Sequence, residues 1–453
     1  MNQIEKKVLK KITPTDEYRK KVNVVINDLE KKIETEIESK KIPADLTLVG
    51  SIAKDTYLKN NMDIDFFIRF PTNFKKQNLA KYSRIIGKKL LKNTEESYAE
   101  HPYIRGYYKE FLVEIVPCYK IENASQKLSA VDRTPLHTDY IIKNITEKQK
   151  DEVRLFKQFL KGIGCYGAES QIQGFSGYLC EIMILYFKDF KNIIKNAKDL
   201  KYNQKLSLRN KKSPDFNTPL VFIDPVDNNR NVASALSMEK FKIFKLALKN
   251  YNKNPNINFF FPKKVKAWSI DKIKNQLKQK DFKYIAIRVS KPDIIDENLY
   301  PQIRKALKSI IKISKEYDFK ILDNNFYIDK YLSYIYFIFK TKKESLPKTK
   351  IHIGPPLKLD ENAKEFNEKW KKNKQVVKGP YIDNERLKVE IKRKYRELRS
   401  LLESEIKNIS LGKHLENEFI KSYKVIENND LLISNLRIFW TEYFEDKHPW
   451  DRN

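Results

Sequence analysis

Residues 48–71 read LVGSIAKDTYLKNNMDIDFFIRFP, a glycine-serine pair followed a dozen positions later by an alternating run of acids and apolar residues. Successive side chains of a strand point to opposite faces, so Ile64, Phe66 and Ile68 share one face while Asp63, Asp65 and Phe67 share the other. Two carboxylates side by side on a strand repel each other unless a cation lies between them, and oxygen ligands of this kind suit a hard divalent ion such as Mg²⁺. Upstream, Gly50 and Ser51 predict a tight turn, and Lys54 and Thr56 follow it. Backbone N–H groups, a hydroxyl and an ammonium are thus offered to an anion beside the metal, as a bound triphosphate would require.

Working outward, the segment 13–38 carries Tyr18, Val22, Val25, Leu29, Ile33 and Ile37 at helical spacing. Thr13 is the expected cap and Pro14 suits the first turn. The apolar stripe needs a sheet, predicted from DLTLVGS (45–51), DIDFFIRF (63–70), ESYAEHPYI (96–104) and FLVEIVPCYKI (111–121). In the last of these, Glu114 is the one acid in an apolar strand. Laid beside the first pair it supplies a third oxygen ligand, so that three acids surround one Mg²⁺ ion or two, with two expected. A turn for phosphates followed by a carboxylate set is the logic of nucleotidyl transfer, in which metal activates a hydroxyl and stabilises the pyrophosphate leaving group.

Beyond Thr146 the texture changes. The stretch TEKQKDEVRLFKQFLKGIG places Val153, Phe156, Leu160 and Ile163 on one helical face, and FSGYLCEIMILYFKDF and SMEKFKIFKLALKNY continue a helical segment to about residue 255. DFKYIAIRV, NLYPQIRKALKSIIKISKEY, FKILDNNFYI and YLSYIYFIFKT then spell strand, helix, strand, strand, as in a ferredoxin-like unit over about 281–345. The expected fold class is α+β and multidomain. At 453 residues the chain has room for two to four cores.

Ninety basic residues against 59 acids give a net charge of +31, more than solubility requires, which points to a polyanion such as nucleic acid; a lysine-rich proteome is the other source of such a bias. Cys118, Cys165 and Cys180 form neither a disulfide ladder nor a CxxC site, so a reducing cytoplasm is expected. No signal peptide and no apolar run of membrane-spanning length is seen, so neither secretion nor a membrane partner is expected.

The match to a known family is wider than the acids. In order and spacing, GSIAKDTYLKNNMDID, YAEHPYIRG, VEIVPCYKI, SAVDRTP, EVRLFKQFLK, YGAE, GFSGYLCE, DPVDNNRNVASALS and KPDIIDENLYPQ resemble the archaeal class I tRNA nucleotidyltransferases, the CCA-adding enzymes, within the polymerase-β-like nucleotidyltransferase superfamily. The resemblance implies a head, neck, body and tail: a nucleotidyltransferase head over 1–142, a helical neck recognising the base over 143–256, and a body and tail binding tRNA over 257–453. It implies template-free addition of C, C and A to the 3′ end of tRNA from CTP and ATP. By the same likeness Asp63, Asp65 and Glu114 are the metal carboxylates, Gly50, Ser51 and Lys54 serve the triphosphate, and His137, Lys157 and Tyr166 contact the nucleotide. Arg230 would read the base, and His101 and Arg133 fall in blocks lining the same cleft. From their own surroundings, Arg230 reads as a surface arginine and Lys157 as a solvated lysine, while His137 reads equally as a turn residue or a nucleotide contact, and Tyr166 equally as core or a nucleotide contact. The family usually shows Glu-x-Asp at the pair and Asp on the later strand, whereas this chain has Asp63-x-Asp65 and Glu114. Carboxylate chemistry survives both exchanges.

The implied partners are the acceptor stem and elbow of tRNA, whose A-form duplex is read by shape, phosphate and 2′-hydroxyl. FPKKVKAWSIDKIKNQLKQK (261–280), with Trp268 among its lysines, is the first candidate for backbone contact. Tyr331, Tyr334, Tyr336 and Phe337 read as core residues of one strand. A homodimer is left open. The competing readings are another template-free enzyme such as a poly(A) polymerase, and a catalytically degenerate RNA-binding relative.

Overall fold

The computed structural model describes residues 1–59, 62–98, 101–209, 212–278, 281–329 and 331–452. The KNNMD loop, the ESYAEHPYI segment and the end of the lysine-rich 261–280 stretch each fall in part outside the described residues. Two compact units are present: Met1–Lys264 with Lys447–Asn453, and Val265–Asp446.

The first unit opens with two helices rather than one. Helix α1 (Gln3–Ile12) is closed by a capping box between Asn2 and Glu5, and α2 (Asp16–Ser39) is capped by Thr15, not Thr13. The difference is physical: Thr15 places its hydroxyl on the Tyr18 N–H, and Pro14 sits in the link between the helices. The expected stripe of α2 is otherwise in place, with Val22, Val25, Leu29, Ile33 and Ile37 buried.

Helices α2 and α4 (Lys76–Leu90) cover one face of a five-stranded sheet. Its strands are β1 (Asp45–Val49), β2 (Ile64–Phe70), β3 (Lys92–Tyr98), β4 (Pro102–Tyr108) and β5 (Phe111–Tyr119), in the order β1-β2-β5-β4-β3. A one-turn helix, α3 (Gly50–Ala53), separates β1 from β2. The single strand expected over 96–104 is instead the meeting of two strands, β3 and β4, paired antiparallel. Within this sheet β2 and β5 run parallel. Ile64, Phe66, Ile68 and Phe70 of β2 and Val113 and Ile115 of β5 face the helices; Phe67, Val116 and Cys118 line the opposite face with Val49. The alternation read from the sequence therefore holds.

A second core in the same unit is helical. It draws on α1, α5 (Arg133–Asn144), α6 (Glu147–Gly162), α7 (Gly177–Phe187), α8 (Phe190–Asn196) and α9 (Met238–Lys253). Val8 and Ile12 from α1 and Trp450 from the chain's last residues belong to it. Helix α6 is not one-faced as expected: Val153, Arg154, Leu155, Phe156, Lys157, Phe159 and Leu160 are all buried, because neighbours pack around its circumference. A two-stranded parallel ladder, β6 (Gln204–Leu206) with β7 (Leu220–Phe222), lies within this otherwise helical region and was not expected there.

The second unit holds a four-stranded antiparallel sheet in the order β14-β8-β10-β9, formed by β8 (Phe282–Ser290), β9 (Ile321–Asp329), β10 (Tyr334–Lys342) and β14 (Tyr423–Glu427). That is the ferredoxin-like order, but the fourth strand arrives about 80 residues after the expected end of the unit. Between β10 and β14 come a three-stranded sheet of β11 (Thr349–Pro356), β12 (Val376–Asp383) and β13 (Arg386–Lys392) carrying α12 (Asp360–Lys371). Helix α11 (Asp296–Glu316), with α13 (Leu398–Glu405) and α14 (Lys413–Lys421), packs on one face of the main sheet. Helices α10 (Ile270–Leu277) and α15 (Arg437–Glu445) pack on the other. Tyr334 and Tyr336 join the latter core and Phe337 the former, whereas Tyr331 is 93% exposed in the turn before β10 and is no core residue. Trp268 stacks on Phe444, donates to Glu445 and carries Lys272 over its ring at 3.5 Å, so its indole is held by protein contacts. Among the described residues no helix is long and apolar enough to cross a membrane.

Candidate active site

The acids lie on the sheet face opposite α2 and α4. Parallel register sets Asp65 of β2 directly beside Glu114 of β5, and antiparallel register sets Glu114 beside Arg105 of β4. On the other flank Val49, the last residue of β1, pairs with Asp65, so Gly50 at the start of α3 follows at the same level. The ladder thus sets Asp65 beside Glu114, and Asp63 precedes β2 on the same chain segment. Arg105 reaches between two of them, its Nη2 3.8 Å from Asp63 and its Nε 3.4 Å from Glu114.

Burial pushes the Asp65 carboxyl well above its ordinary value, and the charges of Glu114 and Asp63 push it further. Burial raises Glu114 as well, against the pull of Arg105. Among the described residues no three acidic, histidine or cysteine side chains close on one point as a ready-made metal cage. The donor set nonetheless fits a hard divalent cation: three carboxylates, one of them held in a setting that penalises its charge without a counter-ion.

Gly50 is the second half of this arrangement. Its φ is +75°, and a Cβ placed there would lie 2.0 Å from Asp65 Oδ2. Only glycine lets the turn close against that carboxylate. Gly50→Ala is therefore expected to slow the reaction at this site roughly 100-fold by displacing Asp65, while the fold survives. Single-turnover rates, beside a far-ultraviolet spectrum, check this.

The segment after the turn is tied to the helical core. Arg154 of α6 donates to the Tyr57 carbonyl at 3.1 Å and pairs with Asp55 at 2.6 Å. Glu181 of α7, fully buried, accepts from Lys54 at 2.6 Å and from the Thr56 hydroxyl at 2.6 Å. Lys157 lies 3.4 Å from the same carboxylate and donates to both oxygens of Thr56 at 3.1 Å. Lys157 is not the solvated side chain that sequence alone suggests; its ammonium and that of Lys54 are buried on a shared carboxylate. Although burial opposes it, Lys54 and Lys157 hold the Glu181 carboxyl below its ordinary value, so the group is ionised. The cluster gathers two lysine side chains on one carboxylate, and burial lowers the Lys157 ammonium from its ordinary value although Glu181 opposes this. Tyr166 is packed beside it, its hydroxyl and Lys157 both near the bare Cα of Gly177 at the start of α7, and Lys161 lies over its ring at 5.6 Å.

A second buried carboxylate organises the rest. Asp224 Oδ2 accepts from His137 Nε2 and from Arg230 Nη1, each at 2.8 Å, and Oδ1 accepts from the Tyr178 hydroxyl at 3.1 Å and the Val226 N–H at 3.0 Å. His137 stacks on Tyr178 with ring centroids 4.1 Å apart. Burial lowers the affinity of His137 for a proton. Because Asp224 accepts at Nε2, the neutral ring carries its hydrogen there. Arg230 is about one-third exposed and anchored, not a free surface arginine. The loop that bears both residues closes on itself, with the Asp224 N–H donating to the Arg230 carbonyl at 3.0 Å.

Arg133 donates to Asp227 at 2.9 Å, a carboxylate also paired with Lys127 at 2.5 Å. His101 is 3% exposed, edge-on to Tyr119, and so is buried rather than on an open cleft wall. Ser51 follows Gly50 in α3 and is half-buried. Residue patterns alone assign no role to Glu181, Asp224, Tyr178 or Arg105. A signal existed for the first: Glu181 is one acid in the apolar run YLCEIMILYF, the same pattern that singled out Glu114.

Residues 30–137 match a nucleotidyltransferase domain, 151–261 the second domain of tRNA nucleotidyltransferase, and 271–428 the C-terminal domain of CCA-adding enzymes. The CCA-adding enzyme of Methanosarcina barkeri is 36% identical over 425 residues, covering 93% of both chains. That of Picrophilus torridus is 35% identical over 437 residues, covering 96% of this chain and 98% of the relative. That of Methanocaldococcus jannaschii is 33% identical over 449 residues, covering 95% and 96%.

Proposed function

The chain belongs to the CCA-adding enzymes, and we propose that Asp63, Asp65 and Glu114 are its metal-binding carboxylates and the centre of its chemistry. The protein adds C, C and A to the 3′ end of tRNA from CTP and ATP without a nucleic-acid template. One observation carries the site assignment: Asp65 lies in parallel register with Glu114 while Gly50 leaves room for its carboxylate at the turn.

Two Mg²⁺ ions held by these acids would supply activation of the primer hydroxyl and neutralisation of the leaving pyrophosphate. The 3′ oxygen forms its bond to the α-phosphorus, the bond from that phosphorus to the bridging oxygen breaks, and pyrophosphate departs with its electron pair. Glu114 would receive the hydroxyl proton. Ser51, the N–H groups of the turn and the side chains of Lys54 and Lys157 held on Glu181 receive the triphosphate. Tyr166 packs beside it, and His137 and Arg230 address the base and sugar. In this reading residues 1–142 act as head and 143–256 as neck. The second unit grips the acceptor stem and elbow of tRNA through its lysines, and the work is done in the cytoplasm.

The test is direct. A tRNA transcript ending at the discriminator base, supplied with Mg²⁺ and CTP, is expected to grow by two C residues, and with ATP added by one A. Sequencing the ends reads the outcome. Long A-tracts, or extension of any RNA regardless of its fold, would overturn the assignment.

A further inference from the structure

We propose that Asp224 is the positioning residue that sets nucleotide choice, by fixing the Arg230 guanidinium in a single orientation beside the base. The inference rests on the reading that Arg230 addresses the base. A guanidinium offers donors only, so it bonds the ring nitrogen of cytosine (N3) or adenine (N1), each an acceptor. The equivalent positions of uracil and guanine carry N–H, which would face a donor with a donor. Such a rule selects C and A together, but only while the fork is held still: a guanidinium free to swing reaches the carbonyl oxygens of uracil or guanine instead.

Asp224 is built to hold it still. Its carboxylate has about four acceptor positions, and four donors fill them: His137 Nε2 and Arg230 Nη1 on one oxygen, Tyr178 Oη and Val226 N–H on the other. It is fully buried, and Tyr178 in turn stacks on His137, so one carboxylate locks two candidate nucleotide contacts and the loop turn at once. Arg230 spends one Nη1 hydrogen on this anchor, and its partly exposed fork keeps other donors for a ligand. Asparagine cannot substitute, since either orientation of its amide sets an NH₂ against two donors.

The experiment compares kcat/KM for CTP against UTP, and for ATP against GTP, in the full-length protein with tRNA primers ending one step before each addition. The variants are Asp224→Asn, Arg230→Ala and the double variant, each with its melting temperature. The proposal expects Asp224→Asn to lower both preferences by about 10- to 100-fold, the scale of a lost hydrogen bond to a charged group. It expects Arg230→Ala to do the same, and the double variant to lose no more than either alone. Discrimination retained in Asp224→Asn but lost in Arg230→Ala overturns the proposal and leaves the reading of Arg230 standing. An equal slowing with all four nucleotides shows a structural role only, and also overturns it. Discrimination retained in Arg230→Ala removes the base-reading assignment and the proposal with it. Where Asp224→Asn fails to fold, Tyr178→Phe, which frees one acceptor position without adding a donor, is expected to lower the preferences by a smaller factor, and unchanged preferences there count against the proposal.

Discussion

Asp65→Asn leaves the protein folded, lowers nucleotide addition by about 1,000-fold or more, and makes the protein more heat-stable in chelator. The activity loss follows from removing one oxygen of the metal-binding set. Metal stabilisation of the reacting phosphate is worth several kcal/mol, and each 1.36 kcal/mol is a factor of ten in rate. The stability gain follows from the carboxylates' mutual repulsion. Burial first, then Glu114 and Asp63, raise the Asp65 carboxyl above its ordinary value, so the folded state holds a proton longer than the unfolded chain does. Where the folded state binds more protons, stability falls as pH rises. In chelator the wild-type protein therefore loses stability as pH climbs from the ordinary carboxylate range through the raised Asp65 value. The uncharged amide of the variant makes that dependence shallower. Mg²⁺ is expected to recover the stability of the wild-type protein at neutral pH and to leave the variant nearly unmoved. Thermal melts across pH, with and without metal, check both halves, and a variant as active as its parent would contradict the assignment.

Glu181→Ala is expected to be the most destabilising single substitution in the first unit. It leaves the ammonium groups of Lys54 and Lys157 buried without their carboxylate, and Thr56 without its acceptor. Breaking a buried ion pair from one side costs about 3–5 kcal/mol. For a unit of this size the corresponding fall in melting temperature is about 10 °C. The same principle predicts a rescue. Replacing the whole cluster, Glu181→Leu with Lys54→Met and Lys157→Met, removes every unpaired charge and returns most of the lost stability, whereas nucleotide addition stays low because the triphosphate has lost both cations. Urea midpoints and addition rates on the three proteins separate the two roles. A triple variant that regains activity would contradict the place given to the lysines.

What the sequence made legible was set by short-range periodicity. The two-residue alternation of 63–70 put Asp63 and Asp65 on the face opposite Ile64, Phe66 and Ile68, and the structure keeps them there. The stripe of α2 was equally plain. Capping at Thr15 rather than Thr13 was not, since both lie beside Pro14 and only the hydroxyl's bond to Tyr18 decides between them. The deeper failures are of long-range pairing. Lys157 looks solvated until Glu181 is brought to it from 24 residues away, and nothing local pairs Lys54 with that carboxylate 127 residues on. Arg230 looks free until a turn folds it back on Asp224, and His137 reaches that carboxylate from 87 residues away. In the second unit the ferredoxin-like order was visible in three strands, but β14 pairs with β8 across an inserted sheet that no local pattern announces.

The most direct measurement is binding of Mn²⁺ to the full-length protein in the presence of CTP, followed by the loss of the free-ion electron paramagnetic resonance signal. The wild-type protein is expected to take up the ion, Glu114→Gln to bind it more weakly, and Asp65→Asn to lose the site. Equal uptake by all three proteins would contradict the claim that these carboxylates hold the metal.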